Sequence, residues 1–133
     1  TVKLTDFRGG KVLIWFYPKA STPGCTVEGC NIRDHQSEFT QNEICIIGIS
    51  KDSVKRQKNF ATKHAFEYPL LSDESGETIE AFGAWGPKKF MGREYEGILR
   101  SSFLIDEDGI IERVFAKVKT KTHGADVLQS IVS

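Results

Sequence analysis

The sequence predicts an α/β protein with a mixed, mostly parallel central sheet and helices on both faces of that sheet. Three observations predict this class. Continuous apolar runs, which are typical of strands buried on both faces, alternate with helical patterns along the chain. Two β-rich runs late in the chain flank an Asp-Gly pair, which indicates an antiparallel hairpin. The length of 133 residues suits one domain with a core of its own.

The first half of the chain supplies two buried strands and two helices. The apolar runs KVLIWFY at residues 11–17 and EICIIGIS at 43–50 predict strands. A helix is predicted to begin near Pro23, because Thr22 is a favoured N-cap residue and proline a favoured first helical residue. Residues 52–64 open with cap-type residues and predict a mostly exposed helix.

The second half is predicted to add a short strand, a short helix, a loop and a hairpin. YPLLSD at 68–73 predicts the strand, and a short helix follows around 77–82. The breaker-rich WGPKKFMG at 85–92 predicts the loop, and SSFLIDEDGIIERVFA at 101–116 predicts the hairpin. Four apolar residues on one face predict a closing helix: Val127, Leu128, Ile131 and Val132. The order β-α-β-α-β-α-β-β-α is the thioredoxin-like layout, although periodicity alone leaves other α/β layouts open.

Composition narrows the functional class. Lys+Arg and Asp+Glu both number 18, so no overall field attracts nucleic acid or an anionic membrane, although a local patch stays open. No apolar run approaches the ~20 residues that a membrane-spanning helix needs. Three cysteines are too few for a disulfide framework and favour a reducing, cytoplasmic compartment. Because the chain begins at Thr1 without a Met, it looks clipped, and a lost targeting segment stays an open alternative.

The segment TPGCTVEGC at 22–30 carries two cysteines. Cys25 falls in the first turn of the predicted helix, where unpaired N–H groups and the helix dipole stabilise a thiolate, the nucleophilic form. A small buried apolar residue is the alternative interpretation, but Pro23-Gly24 would be an odd choice around it. Cys30 lies about 8–9 Å away on an intact α-helix, beyond the ~7 Å limit for a disulfide. If the two cysteines react with each other, the helix must first unwind.

These residues carry a resemblance to a known family. Pro18, Thr22 and Cys25 stand as P-x-x-x-T-x-x-C, which resembles the active-site signature of peroxiredoxins. The stretches FYPKASTPGCTVEGCNIRD and WGPKKFMGREYEGILRSSFLID are similar to the peroxiredoxin Q, or bacterioferritin comigratory protein, subfamily. The similarity extends from Lys11 to His123.

The resemblance also implies a domain organisation. It implies a single thioredoxin-like peroxiredoxin domain over residues 1–133 that lacks the family's usual N-terminal hairpin segment. Gly29 is a departure, since the subfamily more often has alanine there. A glycine directly before Cys30 either eases the unwinding of the helix or makes room for a neighbouring side chain.

The resemblance implies roles for both cysteines of the helix. Cys25 would be the peroxidatic cysteine, oxidised to sulfenic acid by hydrogen peroxide or an organic hydroperoxide. Cys30 would be the resolving cysteine of an atypical 2-Cys enzyme, and the Cys25–Cys30 disulfide would be recycled by thioredoxin, with glutaredoxin as the second candidate. The subfamily is often monomeric, and the resemblance implies no metal, flavin or haem cofactor.

Four further residues match the family's site. Thr22 would orient the peroxide through its hydroxyl, and Pro18 would shield the site. Arg100 would stabilise the thiolate and the peroxide oxygens, and Glu28 would help to hold that arginine. Donors aimed at the charge that builds on the leaving oxygen are the groups that this chemistry needs.

Other interpretations stay open from the sequence. Cys45 is expected to be a core residue, with a backup resolving role as the alternative. His35, His64 and His123 are expected to have surface or structural roles, and a Cys25/Cys30/His35 metal site fits no familiar zinc spacing. A disulfide oxidoreductase would favour Cys-x-x-Cys, which this chain lacks. A peroxide-sensing redox switch and a chaperone-like binder are the alternatives from other functional classes.

Overall fold

A computed structural model of the protein describes residues 10–116 and 118–132. The strands are β1 Lys11–Phe16, β2 Ile44–Ser50, β3 Leu70–Ser72, β4 Trp85–Phe90, β5 Arg93–Ile98, β6 Ser101–Ile105 and β7 Ile111–Phe115. The helices are α1 Pro23–Asp34, α2 Gln36–Gln41, α3 Val54–Lys63, α4 Glu77–Ala81 and α5 His123–Val132. Residues 1–9 lie outside the described residues. The prediction that the family's N-terminal hairpin segment is lacking stays a prediction.

The central sheet has the strand order β3-β2-β1-β6-β7. β1 pairs in parallel with β2, and β2 pairs in parallel with β3. β6 runs antiparallel to both of its neighbours, β1 and β7. The other four strands therefore share one direction, which confirms the predicted mixed, mostly parallel sheet of an α/β protein.

β1 is buried on both faces because its alternate side chains enter two separate apolar clusters. The first cluster contains Leu13, Trp15 and Tyr17 of the β1 segment together with Ile32 of α1, Phe39 of α2, Phe60 of α3 and Val127 of α5. The second contains Val12, Ile14 and Phe16 together with Ile79 of α4 and Ile98 of β5. Helices therefore cover both faces of the sheet, and the continuous apolar run of β1 follows from that.

The loop predicted for residues 85–92 is wrong, because these residues form most of a β-hairpin. β4 and β5 pair antiparallel along their whole length as a separate two-stranded sheet. Met91 and Gly92 form the turn with φ values of 51° and 80°. Two consecutive positive φ values suit a two-residue hairpin turn, which glycine enters without strain. Pro87 is tolerated inside β4 because each strand of a two-stranded sheet has an unpaired edge.

Cys45 is exposed, so its predicted place in the core is wrong. It lies near the start of β2 and is paired with Val12 of β1. β3 begins its pairing only at Gly48, so it does not extend alongside Cys45. All the remaining residues of β2 are buried, which is why the apolar run as a whole indicated a core strand.

The predicted hairpin at residues 101–116 and the predicted closing helix agree with the structure. β6 and β7 pair antiparallel around the turn at Gly109, whose φ is 83°. Val127 and Leu128 of α5 are buried against the core, as predicted. The side chains of Ile131 and Val132 lie outside the described part of the structure.

Candidate active site

The first turn of α1 presents Cys25 at the carboxyl end of β1. Thr22 occupies the predicted N-cap position with φ −81° and ψ 154°, and Pro23 is the first helical residue. The Thr22 hydroxyl does not cap the helix but donates to the Lys19 carbonyl oxygen at 2.7 Å. The N–H groups of the first turn therefore receive no side-chain cap. Cys25 is completely buried beneath this turn.

A buried carboxylate holds the loop that joins β1 to α1. Asp52 accepts hydrogen bonds at Oδ2 from the Ala20 N–H and from the Ser50 hydroxyl, both at 2.7 Å. Ser21, within this loop, has a left-handed φ of 64°. Asp52 therefore fixes the backbone between Pro18 and Thr22. Its sequence position suggested only a helix cap, because the loop that it contacts is distant in the chain.

Arg100 brings the fixed positive charge to Cys25. Its Nη2 donates to the Cys25 sulfur at 3.5 Å, and its Nη1 donates to Glu28 Oε1 at 2.6 Å. A Cβ at Gly24 would lie 3.3 Å from Nη2, so glycine leaves the space that the guanidinium needs. Burial opposes the charge of Arg100, but the Cys25 thiolate and the Glu28 carboxylate raise its pKa. The structure thus brings Cys25, Arg100 and Glu28 together as the sequence predicted.

Glu28 is a buried carboxyl group that is satisfied on one side only. The residue has no exposed surface, and its Oε2 has no hydrogen-bond partner. Burial raises the pKa of Glu28 to about 7, against the opposing effect of Arg100. At neutral pH the Glu28 carboxyl group is therefore close to half-protonated. Its Oε1 accepts the hydrogen bond from Arg100.

His123 faces the unsatisfied side of Glu28. Its Nε2 lies 3.9 Å from Glu28 Oε2 and 2.6 Å from the Ser102 hydroxyl oxygen. Burial lowers the pKa of His123 to about 4, so the imidazole is neutral at pH 7. The sequence predicted a surface or a structural role for His123, and its burial supports the structural one. Nothing in the local sequence could link His123 or Ser102 to Glu28, since their contact depends on the docking of α5 against α1.

Cys30 lies in the same unbroken helix as Cys25, and both are free thiols. Cys30 is half-buried and packs against the first apolar cluster. Gly29, beside it, faces aromatic rings: a Cβ there would lie 2.7 Å from Phe66 Cζ and 3.2 Å from Trp15 Cη2. The structure therefore favours the interpretation that Gly29 makes room for a neighbouring side chain.

The metal site considered from the sequence can be compared with the described residues. Within residues 10–116 and 118–132, no group of three or more His, Cys, Asp or Glu is placed to hold a metal. The Cys25/Cys30/His35 site considered from the sequence is therefore not formed there. No described helix is long and apolar enough to cross a membrane.

Comparison with known proteins places this site in a family. The AhpC/TSA family matches residues 1–114 of the chain. The chain is 50% identical to the peroxiredoxin Bcp of Escherichia coli K12 over 127 residues, which cover 96% of this chain and 81% of that protein. The chain is a peroxiredoxin of the AhpC/TSA family.

Two further relatives support the same assignment of this peroxiredoxin. The peroxiredoxin Bcp of Bacillus subtilis is 44% identical over 131 residues, which cover 98% of this chain and 83% of that one. A structure of the Xanthomonas campestris bacterioferritin comigratory protein superposes with a TM-score of 0.92 at 37% identity, covering 98% of this chain and 83% of that chain. The resemblance to the peroxiredoxin Q subfamily and the thioredoxin-like fold are thus confirmed. This peroxiredoxin is a thiol-dependent peroxidase.

Proposed function

We propose that Cys25 is the peroxidatic cysteine, which reduces hydrogen peroxide and alkyl hydroperoxides. The observation that carries the proposal is a buried thiol in the first turn of α1 with the Arg100 guanidinium 3.5 Å from its sulfur. The thiolate attacks one peroxide oxygen, the O–O bond breaks, and Cys25 becomes a sulfenic acid. The leaving oxygen departs with the electron pair of that bond and takes up a proton, giving water or an alcohol.

The groups around Cys25 suit a transition state in which negative charge moves onto the leaving oxygen. Arg100 and the uncapped first-turn N–H groups are donors that are already in place, and such preorganised donors contribute most to catalysis of this kind. The Thr22 hydroxyl donates its proton to the Lys19 carbonyl oxygen. The Thr22 oxygen can therefore accept a hydrogen bond from the peroxide. Pro18 is half-buried in the same loop and shields the site. Glu28 holds Arg100 in position.

Cys30 completes the cycle as the resolving cysteine. Its thiol attacks the sulfenic sulfur of Cys25, a disulfide forms, and water leaves with the sulfenic oxygen. The first turns of α1 must open for this step, because the two cysteines are too far apart on an intact helix. A dithiol reductant then exchanges with the disulfide, and we propose thioredoxin, with glutaredoxin as the second candidate.

The substrate proposal has support from a relative. The Xanthomonas campestris bacterioferritin comigratory protein is described by its alkyl peroxide reduction activity. We extend that class of substrate to this chain on the basis of the shared family. A monomer working in a reducing, cytoplasmic compartment is part of the same proposal.

The direct test follows peroxide consumption in the presence of thioredoxin, thioredoxin reductase and NADPH. The unmutated protein should turn over repeatedly, and Cys25→Ser should be inactive because the thiol beside Arg100 is gone. Cys45→Ser is the matched control, since Cys45 is exposed and lies on β2. Substantial turnover by Cys25→Ser would refute the peroxidatic assignment. A single round of oxidation without turnover by the unmutated protein would favour a redox sensor instead.

A further inference from the structure

The part of α1 that must open lies against an aromatic surface. Trp15, Phe66 and Tyr68 are buried beneath the helix, and the ring of Tyr68 stacks on Phe66 with centroids 5.2 Å apart. The Tyr68 hydroxyl donates to the Gly29 carbonyl oxygen at 3.0 Å. This bond joins the segment before β3 to the residue directly before Cys30. It is a tertiary bond to the interior of a helix whose carbonyls already have helical partners.

Packing and a neighbouring backbone hydrogen bond hold Tyr68 in the position that this bond requires. Its ring meets the edge of Trp15 at 6.3 Å and 74°, and only 4% of the residue is exposed. Next to it, the Pro69 carbonyl oxygen accepts from the Gly48 N–H at 3.0 Å, which ties the backbone to β2. Burial raises the pKa of Tyr68, so its hydroxyl keeps its proton and stays a donor. These contacts hold Tyr68 against the sheet. Opening of α1 would therefore break the hydrogen bond between the Tyr68 hydroxyl and the Gly29 carbonyl oxygen.

We propose that Tyr68 is a positioning residue for the resolving step, because its hydroxyl holds the Gly29 carbonyl and sets how readily α1 opens for Cys30 to reach Cys25. The inference rests on the proposed Cys25–Cys30 disulfide. Two reactions compete for the sulfenic acid of Cys25. The Cys30 thiol converts it to a disulfide with loss of water, whereas a second peroxide transfers an oxygen to it, giving sulfinic acid and water or an alcohol. A tighter hold on Gly29 gives the second reaction more time.

The size of the effect follows from the bond that is removed. Tyr68→Phe keeps the ring and its packing and deletes only the hydroxyl. The Gly29 carbonyl keeps its helical partner, so no buried acceptor is orphaned. A net hydrogen bond of this kind corresponds to about a fivefold shift in an equilibrium. Disulfide formation should become about fivefold faster, and less sulfinic acid should form at a given peroxide concentration, while peroxide attack on Cys25 is unchanged.

The experiment is stopped-flow tryptophan fluorescence of the reduced full chain mixed with hydrogen peroxide. Tyr17→Phe is the matched control, because Tyr17 belongs to the same aromatic cluster but its hydroxyl bonds Gln57 rather than α1. A faster second phase in Tyr68→Phe alone supports the inference. An unchanged second phase, or an equal acceleration in Tyr17→Phe, overturns it.

Two further measurements separate the possible failures. Hydrogen exchange of the reduced proteins should show faster exchange in Tyr68→Phe confined to the middle of α1; protection equal to that of the unmutated protein would overturn the inference independently of kinetics. Peptide mapping of the oxidised, unmutated protein tests the proposed function itself. If that map contains no Cys25–Cys30 disulfide, the proposed cycle fails and the role of Tyr68 fails with it.

Discussion

Replacing Gly29 by alanine sets two effects of opposite sign against each other. Alanine is favoured over glycine inside a helix by ~1 kcal/mol, which alone would stabilise the closed α1. However, the new Cβ would lie 2.7 Å from Phe66 Cζ, and 3.2 Å from both Phe66 Cε2 and Trp15 Cη2. Both rings are buried, so neither can turn into solvent. Overpacking of this kind costs about 1–3 kcal/mol.

The packing term should therefore equal or exceed the propensity term. We expect Gly29→Ala to lower the free energy of unfolding of the reduced protein by about 0–2 kcal/mol, the difference between the two terms. The sequence alone allowed the opposite sign, since a glycine that eases unwinding would make alanine stabilising. Opening of α1 should become easier, so disulfide formation between Cys25 and Cys30 should not slow.

Urea denaturation of the reduced protein measures this difference, and a double-mutant cycle with Phe66→Leu identifies its cause. Leucine removes the ring edge that the new methyl group meets. In the Phe66→Leu background, Gly29→Ala should thus be neutral or stabilising. A Gly29→Ala protein that is more stable than the unmutated one, or an effect that does not depend on Phe66, would refute the packing argument.

Four other variants test the remaining parts of the site. Cys30→Ser should react once with peroxide at the unmutated rate, then turn over poorly and accumulate sulfinic acid at Cys25; mass spectrometry checks this, and a native disulfide from Cys25 to any other cysteine would contradict it. Arg100→Ala should slow the first stopped-flow phase about ten- to hundredfold, because a hydrogen bond to a charged group is worth ~1.5–3 kcal/mol; an unchanged first phase would show that the guanidinium is not used. The pKa of Glu28 is raised from 4.5 to about 7, so the folded protein keeps a proton that the unfolded chain loses over this range. The stability of the unmutated protein relative to Glu28→Gln should therefore fall between pH 4.5 and 7, by up to about 1.4 kcal/mol per pH unit. The pKa of His123 is lowered from 6.5 to about 4, so relative to His123→Gln the stability should rise from pH 4 to 6.5. Denaturation curves across this pH range measure both, and parallel profiles for variant and unmutated protein would contradict the assigned protonation.

Local patterns predicted the parts of this protein that depend on neighbouring residues in the chain. The apolar run of β1 indicated a strand covered on both faces, and both faces are covered. Thr22 and Pro23 indicated the start of α1, since N-cap preference and the fixed φ of proline are local properties, although the Thr22 hydroxyl bonds Lys19 instead of capping the helix. The spacing of Cys25 and Cys30 required free thiols on an intact helix, and that is how they occur. Arg100 and Glu28 were singled out through the resemblance rather than through local physics, and the structure places Arg100 in contact with both Cys25 and Glu28.

Pairing and burial were decided by the tertiary structure. The Gly and Pro residues of β4 suggested a loop, and only antiparallel pairing with β5 makes that segment a strand. Cys45 is exposed because burial depends on which strand lies alongside. His123 meets Glu28 because α5 docks on α1, and Gly29 faces Phe66 because the segment before β3 lies under the same helix. The sequence by itself determined that Cys25 lies in the first turn of a helix, since this follows from short-range geometry. The contacts of Arg100 with Cys25 and Glu28, and of Tyr68 with Gly29, are long-range and form only once the whole sheet is assembled.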